Sequence, residues 1–233
     1  MERQKVCEIV VNGISVTVVR KKIRSMNIYV KPPDGQVRVS VPTRTSDRMV
    51  QQFVLSHLGW IERQRVNVIV RHPVYHYVTG EIYPVFGVPH TLILQDGKTK
   101  RTCGVYKEDN AVIMTALPGS TVEERKVLFQ KWQRRQLHDV VSIMMHRWAN
   151  AIGVEVREWH IKRMKTKWGT CNYRAHRIWL SLALAEQPIA CVEYVVVHEL
   201  CHLLEPRHNA RFWEYMTQYL PDWGERRKRL NTL

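Results

Sequence analysis

The sequence predicts an α+β fold, in which a β-rich region over residues 1–115 precedes a mainly helical region over residues 116–233. Three observations lead to this prediction. Short alternating segments separated by turn residues fill the first region, and apolar residues at helical spacing fill much of the second. In addition, residues 198–202 read His-Glu-Leu-Cys-His inside an apolar run. The division near residue 116 defines two predicted domains, with one continuous unit as the alternative.

Turn signals place the strands of the N-terminal region. Asn12-Gly13 lies between two β-branched runs and predicts a tight hairpin turn, and a second turn is predicted at Pro32–Gly35. Residues 46–66 have a broad apolar face at helical spacing, which predicts a helix. Further strands are predicted at Tyr83–Val88, Thr91–Gln95 and Val112–Thr115. No repeated segment is visible in the sequence.

Capping residues and helix breakers bound the elements of the C-terminal region. Ser120–Glu123 matches a capping box, so a long helix is predicted to begin there and to end at Gly153. Val154–Ile161 is predicted to be extended, and Arg177–Leu182 to be a strand that leads into the apolar helix of the His-Glu-Leu-Cys-His run. Pro206 should break that helix, and two further helices are predicted after it.

Residues 198–202 form an HExxH motif, in which His198 and His202 lie one helical turn apart on the same face. Both imidazoles can bind one metal ion, and Glu199 can take a proton from a metal-bound water as general base. His208 follows Pro206, whose helix break allows the chain to return with a third ligand. Three protein ligands plus water form an open, catalytic zinc site, so one Zn²⁺ per chain is predicted. A helix with satisfied core histidines is the alternative.

The formal net charge of +15 indicates either a solvated basic surface or an anionic partner such as a nucleotide or a nucleic acid. No apolar run approaches the ~20 residues of a membrane span, and the N-terminus lacks the apolar core of a signal peptide. We therefore expect a cytoplasmic protein without a membrane partner. The five cysteines include no CxxC pair, which argues against a disulfide framework and against a second, cysteine-based zinc site.

Beyond the HExxH motif, the sequence from about residue 155 to its end carries a combination of motifs. These are KTKWGTC at Lys165–Cys171, the HELCHL helix, His208-Asn209, Phe212-Trp213 and Pro221–Trp223. In this combination the chain resembles the YgjP-like metallopeptidases, relatives of the SprT-like zinc proteases. The resemblance implies a zincin-like catalytic domain of the minigluzincin type. It also implies that the turn Trp168–Thr170 packs close to the active site.

The departures from the family pattern do not touch the three histidines or the motif glutamate. Lys167 stands where arginine is usual, Thr170 where serine is usual, and Ser181 where the family often has asparagine. Glu205 stands where the metzincin motif requires the glycine that turns the chain, which argues against that class of protease. Glu205 is itself an alternative metal ligand, and a solvated turn residue is the other interpretation.

The segment between Glu158 and Glu186 contains no acidic residue and is rich in lysine and arginine. A cation next to the metal site can stabilise a tetrahedral oxyanion or bind a substrate anion. Lys165 is the first candidate for this role and Lys167 the second, with Trp168 as a further candidate contact. A solvated basic loop is the alternative.

These features predict a zinc-dependent metallopeptidase that acts on a peptide or protein substrate through an HExxH-x5-H site. One alternative is a metal-dependent nucleoside triphosphate pyrophosphatase, for example one that acts on UTP, because a basic loop beside a metal site also suits phosphoanhydrides. Another alternative is a basic nucleic-acid-associated binding protein in which zinc has a supporting role. The sequence has no Walker motif, zinc finger or RNP signature that favours either alternative.

Overall fold

The computed structural model describes residues 6–32, 34–71 and 74–232. Within these ranges the chain is a mixed α/β protein with three β-sheets and six α-helices, in agreement with the predicted α+β class. Residues 1–5, which bear on the expected absence of a signal peptide, and Pro33 of the second predicted turn lie outside the described residues. The chain forms two compact units, of which one ends at Tyr75 and the other begins at His76.

The first unit contains a four-stranded sheet. Its strands are β1 (Val6–Val11), β2 (Ile14–Lys21), β3 (Asn27–Lys31) and β4 (Gln36–Pro42), in the spatial order β1-β2-β4-β3. The inner strands β2 and β4 are parallel, and each outer strand pairs antiparallel with its neighbour. The turn predicted at Asn12-Gly13 is confirmed. Both residues are in the left-handed region, with φ of 50° and 76°, which matches the twist of a two-residue hairpin.

Two helices cover this sheet, α1 (Asp47–Ser56) and α2 (Leu58–Arg71). They bring Val50, Val54 and Ile61 into a core with the inward valines of the strands, and all three are fully buried. The single helix predicted over residues 46–66 is therefore wrong in its continuity. It is interrupted at His57, where φ is −112° and ψ is 9° and the backbone N–H bonds the carbonyl of Val54 in a tighter turn.

The second unit begins with another four-stranded sheet. Its strands are β5 (Ile82–Val85), β6 (Val88–Asp96), β7 (Gly104–Glu108) and β8 (Ala111–Ala116), in the order β5-β6-β8-β7. Because β6 and β8 are parallel and the outer strands antiparallel, the topology repeats that of the first sheet. The strand predicted over Tyr83–Val88 is wrong in its second half. Phe86 and Gly87 form a left-handed hairpin turn there, and phenylalanine is not a usual turn residue.

The remaining elements of the second unit surround one buried helix. They are α3 (Val122–Ile152), β9 (Glu158–Lys162), β10 (Gly169–Asn172), β11 (Arg177–Ser181), a 3₁₀ helix (Leu182–Glu186), α4 (Ile189–Cys201), α5 (Ala210–Tyr219) and α6 (Trp223–Thr232). The capping box of α3 lies one residue later than predicted, since Thr121 and Glu124 exchange the two capping bonds. Gly153 ends α3 in the left-handed conformation, as predicted.

The central helix of this core is α4. Its apolar residues are buried on all sides, which requires packing partners all round the helix. Helices α3, α5 and α6 and the sheet β10-β11-β9 supply them. Within the described ranges, no helix combines the length and apolar character needed to cross a membrane. The cytoplasmic location stays a prediction.

The sheet β5–β8 belongs to the same compact unit as the helices that follow it. Backbone N–H groups of Phe86 and Gly87 bond the carbonyls of Ala185 and Glu186, which ties the β5–β6 turn to the 3₁₀ helix. The compact units divide between residues 75 and 76, whereas the sequence analysis divides the chain between 115 and 116. As a statement about domains, the sequence-based division stays a prediction.

Candidate active site

The C-terminal end of α4 carries the HExxH motif. His198 and Glu199 lie in its last turn, and His202 is the residue that caps the helix. The chain then turns through Pro206, and Asn209 begins α5 by accepting a hydrogen bond from the N–H of Phe212 at 3.1 Å. This break in the helix brings the segment between α4 and α5 back beside the motif.

His198, His202 and His208 come together in the structure. Their candidate ligand atoms all lie within 4.8 Å of one another, and the Nε2 atoms of His198 and His208 are 3.0 Å apart. Nitrogens in a tetrahedral zinc site lie roughly 3.3 Å apart, given Zn–N bonds of about 2.0–2.1 Å, so this spacing suits one zinc ion. Phe212 is fully buried and packs against all three rings, with centroid distances of 4.9, 4.6 and 4.8 Å.

The three imidazoles are biased towards the neutral form that metal ligation requires. Burial lowers the pKa of His198 to about 3, and burial also lowers the pKa of His202 and His208. Nδ1 of His202 lies 3.1 Å from the backbone carbonyl of Glu205, so this nitrogen carries the proton and Nε2 keeps its lone pair. Nδ1 of His198 is buried without a hydrogen-bond partner among the described residues, which is unfavourable for a core histidine.

Glu199 lies on the opposite side of α4 from solvent, with 5% of its surface exposed. It packs directly against β10, because a Cβ atom on Gly169 would lie only 2.5 Å from Oε1 of Glu199. Burial raises the pKa of this carboxyl to about 8, and the positive charge of Lys167 opposes that rise. The site therefore pairs three neutral imidazoles with a carboxyl group held in a dry environment.

A family model described as YgjP-like, metallopeptidase domain, matches residues 25–233 of the chain. The chain belongs to the YgjP-like metallopeptidase family. No protein with a curated description matches it. Among solved structures, it is similar to the metallopeptidase zymogen of Pyrococcus abyssi abylysin, with 21% sequence identity and a TM-score of 0.37. That similarity covers 40% of this chain and 92% of the abylysin chain.

The turn before β10 is where this YgjP-like chain places the three other predicted contacts. Lys165 and Lys167 are both exposed, and only Lys167 has a charge that acts on the pKa of Glu199. Trp168 packs against the core around α4, and its carbonyl accepts a hydrogen bond from the N–H of Ser181 at 2.8 Å. The expectation that this turn packs close to the motif glutamate is met, through Gly169.

Two further residues of β10 and the α4–α5 turn have defined surroundings in this YgjP-like site. Cys171 is two residues beyond Gly169, and burial, followed by the charge of Glu199, raises the pKa of its thiol to about 12. The carboxylate of Glu205 accepts a hydrogen bond from the N–H of Arg207 at 3.1 Å. Among the described residues, the group of potential metal ligands contains the three histidines and not Glu205.

Sequence reasoning missed two residues of the site. Tyr194 lies one turn before His198 on α4, with ring centroids 5.7 Å apart. Arg227 lies on α6, and its charge contributes to the lowered pKa of both His198 and His208. The i, i+4 spacing of Tyr194 and His198 is a local signal, but Arg227 is 19 or more residues from every histidine of the motif. Only the packing of α6 reveals its position.

Proposed function

We propose that this chain is a zinc-dependent metallopeptidase that hydrolyses peptide bonds, with one Zn²⁺ held by His198, His202 and His208. The observation that carries the proposal is the convergence of three neutral imidazoles within 4.8 Å, beside a buried carboxyl group. A satisfied core histidine would have partners for both ring nitrogens, and His198 has none for Nδ1 among the described residues. Family membership supports a peptidase as the class of enzyme.

Glu199 is the proposed general base. When bound, zinc supplies Lewis-acid activation of a water molecule and of the substrate carbonyl. Glu199 accepts the proton of the attacking water on a carboxylate oxygen and later passes it to the leaving amine. A pKa of about 8 without the metal means that burial makes this carboxyl a better proton acceptor than an exposed glutamate. Its contact with Gly169 leaves the side chain little room to move.

Lys167 is the proposed substrate contact on the β10 side of the site, where it would stabilise negative charge on the reacting carbonyl oxygen. Its support is the electrostatic effect of its ammonium group on the pKa of Glu199, whereas Lys165 is exposed two residues earlier in the same turn. We assign Lys165 a weaker role in attracting substrate. Trp168 is buried on one side by the core, so we assign it to support of the turn.

The deciding experiment combines metal analysis with two hydrolysis assays. Zinc per chain is measured by elemental analysis in the wild type and in His202→Ala, and casein and UTP hydrolysis are measured in the zinc-loaded wild type and in Glu199→Gln. We expect one zinc per chain that is lost in His202→Ala, and casein hydrolysis that is lost in Glu199→Gln. Glu199-dependent release of pyrophosphate from UTP without casein cleavage would replace the peptidase by the nucleotide hydrolase. Absence of stoichiometric zinc would refute the metal site.

A further inference from the structure

The guanidinium group of Arg227 is held next to the histidine triad by an aromatic stack. It lies 5.1 Å from the centre of the Trp213 ring. That ring is nearly parallel to His208, at a centroid distance of 5.7 Å and an angle of 22°, and it also stacks on Trp223 at 4.5 Å. One indole ring therefore separates Arg227 from a proposed metal ligand.

The neighbouring Arg226 fixes the orientation of α6. Its guanidinium bonds Glu193 on α4 at 2.6 Å, Asp222 at 2.8 Å and the carbonyl of Ala190 at 3.3 Å. The side chain of Glu193 is only 16% exposed, so this is a partly desolvated ion pair. Because Arg226 points into α4, the next residue on the helix, Arg227, is directed towards α5 and Trp213. The position of Arg227 is thus set by contacts that do not involve its own charge.

The charge of Arg227 is available for a ligand. The residue is exposed, and in the part of the chain that the structure describes no carboxylate lies within salt-bridge distance of it. Its field reaches the site, as its effect on His198 and His208 shows. Donors to a reacting oxyanion must lie about 2.7–3.1 Å from it, whereas the Trp213 ring stands between Arg227 and the triad. Arg227 therefore suits a group of the substrate that is more distant from the scissile bond.

We propose that Arg227 is a specificity-determining residue that binds a carboxylate group of the peptide substrate. Guanidinium groups bind carboxylates in bidentate geometry, and partial shielding by Trp213 strengthens the interaction. The inference rests on the peptidase function proposed above. An acidic side chain and a C-terminal carboxylate offer the same chemistry, so the experiment separates these two sources.

The test measures binding in a background that cannot cleave. Zinc-loaded Glu199→Gln protein is titrated against four fluorescein-labelled decapeptides that differ only in glutamate or glutamine at two central positions and in a C-terminal acid or amide. We expect the preferred carboxylate to tighten binding about tenfold in fluorescence anisotropy. Arg227→Gln should abolish this ratio, and Arg227→Lys should keep part of it. Lys228→Gln, which removes the same charge from the next position of α6, should leave the ratio unchanged.

The outcomes separate the inference from the function on which it rests. Equal binding of all four peptides, or a preference that survives Arg227→Gln, overturns the role of Arg227. A purely structural role is recognised by a lower melting temperature in Arg227→Gln with an unchanged binding ratio, and it also overturns the proposal. Hydrolysis by the wild type then tests the enzyme itself. A carboxylate preference that depends on Arg227, without cleavage of any peptide, sinks the peptidase and retains the binding site.

Discussion

Substitution of Gly169 by alanine tests whether the close packing of β10 on α4 positions the general base. The added Cβ atom would lie 2.5 Å from Oε1, 2.8 Å from Cγ and 2.9 Å from Cδ of Glu199. Carbon atoms pack at about 3.5–4.0 Å, so the Glu199 side chain must move by roughly 1 Å. The φ of Gly169 lies outside the left-handed region, so the backbone accepts alanine and the effect is steric.

Two magnitudes follow from this displacement. Overpacking of a buried contact lowers the free energy of unfolding by ~1–3 kcal/mol. Misplacement of a catalytic group by roughly 1 Å lowers the rate on the order of 100-fold. The zinc content should stay at one per chain, because the histidine rings pack on Phe212 and not on Gly169. The measurements are kcat/KM on casein, elemental analysis and urea unfolding.

Gly104→Ala is the matched control. An added Cβ at Gly104 meets no atom within 4 Å, and its φ is also outside the left-handed region. We expect unchanged activity and a change in stability within about 0.5 kcal/mol. If Gly169→Ala kept the kcat/KM of the wild type, the contact with β10 would not position Glu199. The assignment of this carboxyl group as a rigidly held general base would then be refuted.

Three further predictions concern stability. In the metal-free protein, the pKa of Glu199 is raised above that of the unfolded chain, so its contribution is complete below pH 4.5 and is lost as the pH rises through about 8. Urea unfolding should show the wild type losing up to ~5 kcal/mol relative to Glu199→Gln across this range, and parallel pH profiles would contradict the burial of a titrating carboxyl. Phe212→Ala should cost ~3–5 kcal/mol and weaken zinc binding, measured by competition with a chelator, because all three rings lose their packing partner. Undiminished zinc affinity would show that the triad is held by other contacts. Arg226→Gln should cost ~2–3 kcal/mol by leaving Glu193 without its charged partner, and adding Glu193→Gln should recover part of the loss in thermal unfolding. Strict additivity of the two substitutions would exclude coupling through this ion pair.

The features that sequence reasoning predicted correctly are those encoded within a few residues. The i, i+4 spacing of His198 and His202 places both on one helical face whatever packs around the helix. The break at Pro206 removes a helical hydrogen bond locally, and the return of His208 follows from it. The turn at Asn12-Gly13 and the end of α3 at Gly153 depend on left-handed conformations that these residue types favour.

The errors have the same physical origin. Phe86 adopts a left-handed turn conformation although its residue type disfavours it, because Phe86 and Gly87 bond the carbonyls of the 3₁₀ helix. The interruption at His57 is not visible in the apolar periodicity of residues 46–66, which continues through it. The repeated topology of the two four-stranded sheets is also absent from the sequence. Strand order depends on pairing between distant segments, and many different apolar sequences satisfy it.

The sequence by itself determined the nature of the candidate site, because the ligand types and the base are all specified by one helix and the break that follows it. The tertiary structure decided the surroundings of that site. Gly169 against Glu199, Phe212 beneath three imidazoles and Arg227 beyond Trp213 are all contacts between elements distant in the chain. Such contacts arise from the burial of α4 on every side, and burial depends on the whole core and not on any short segment.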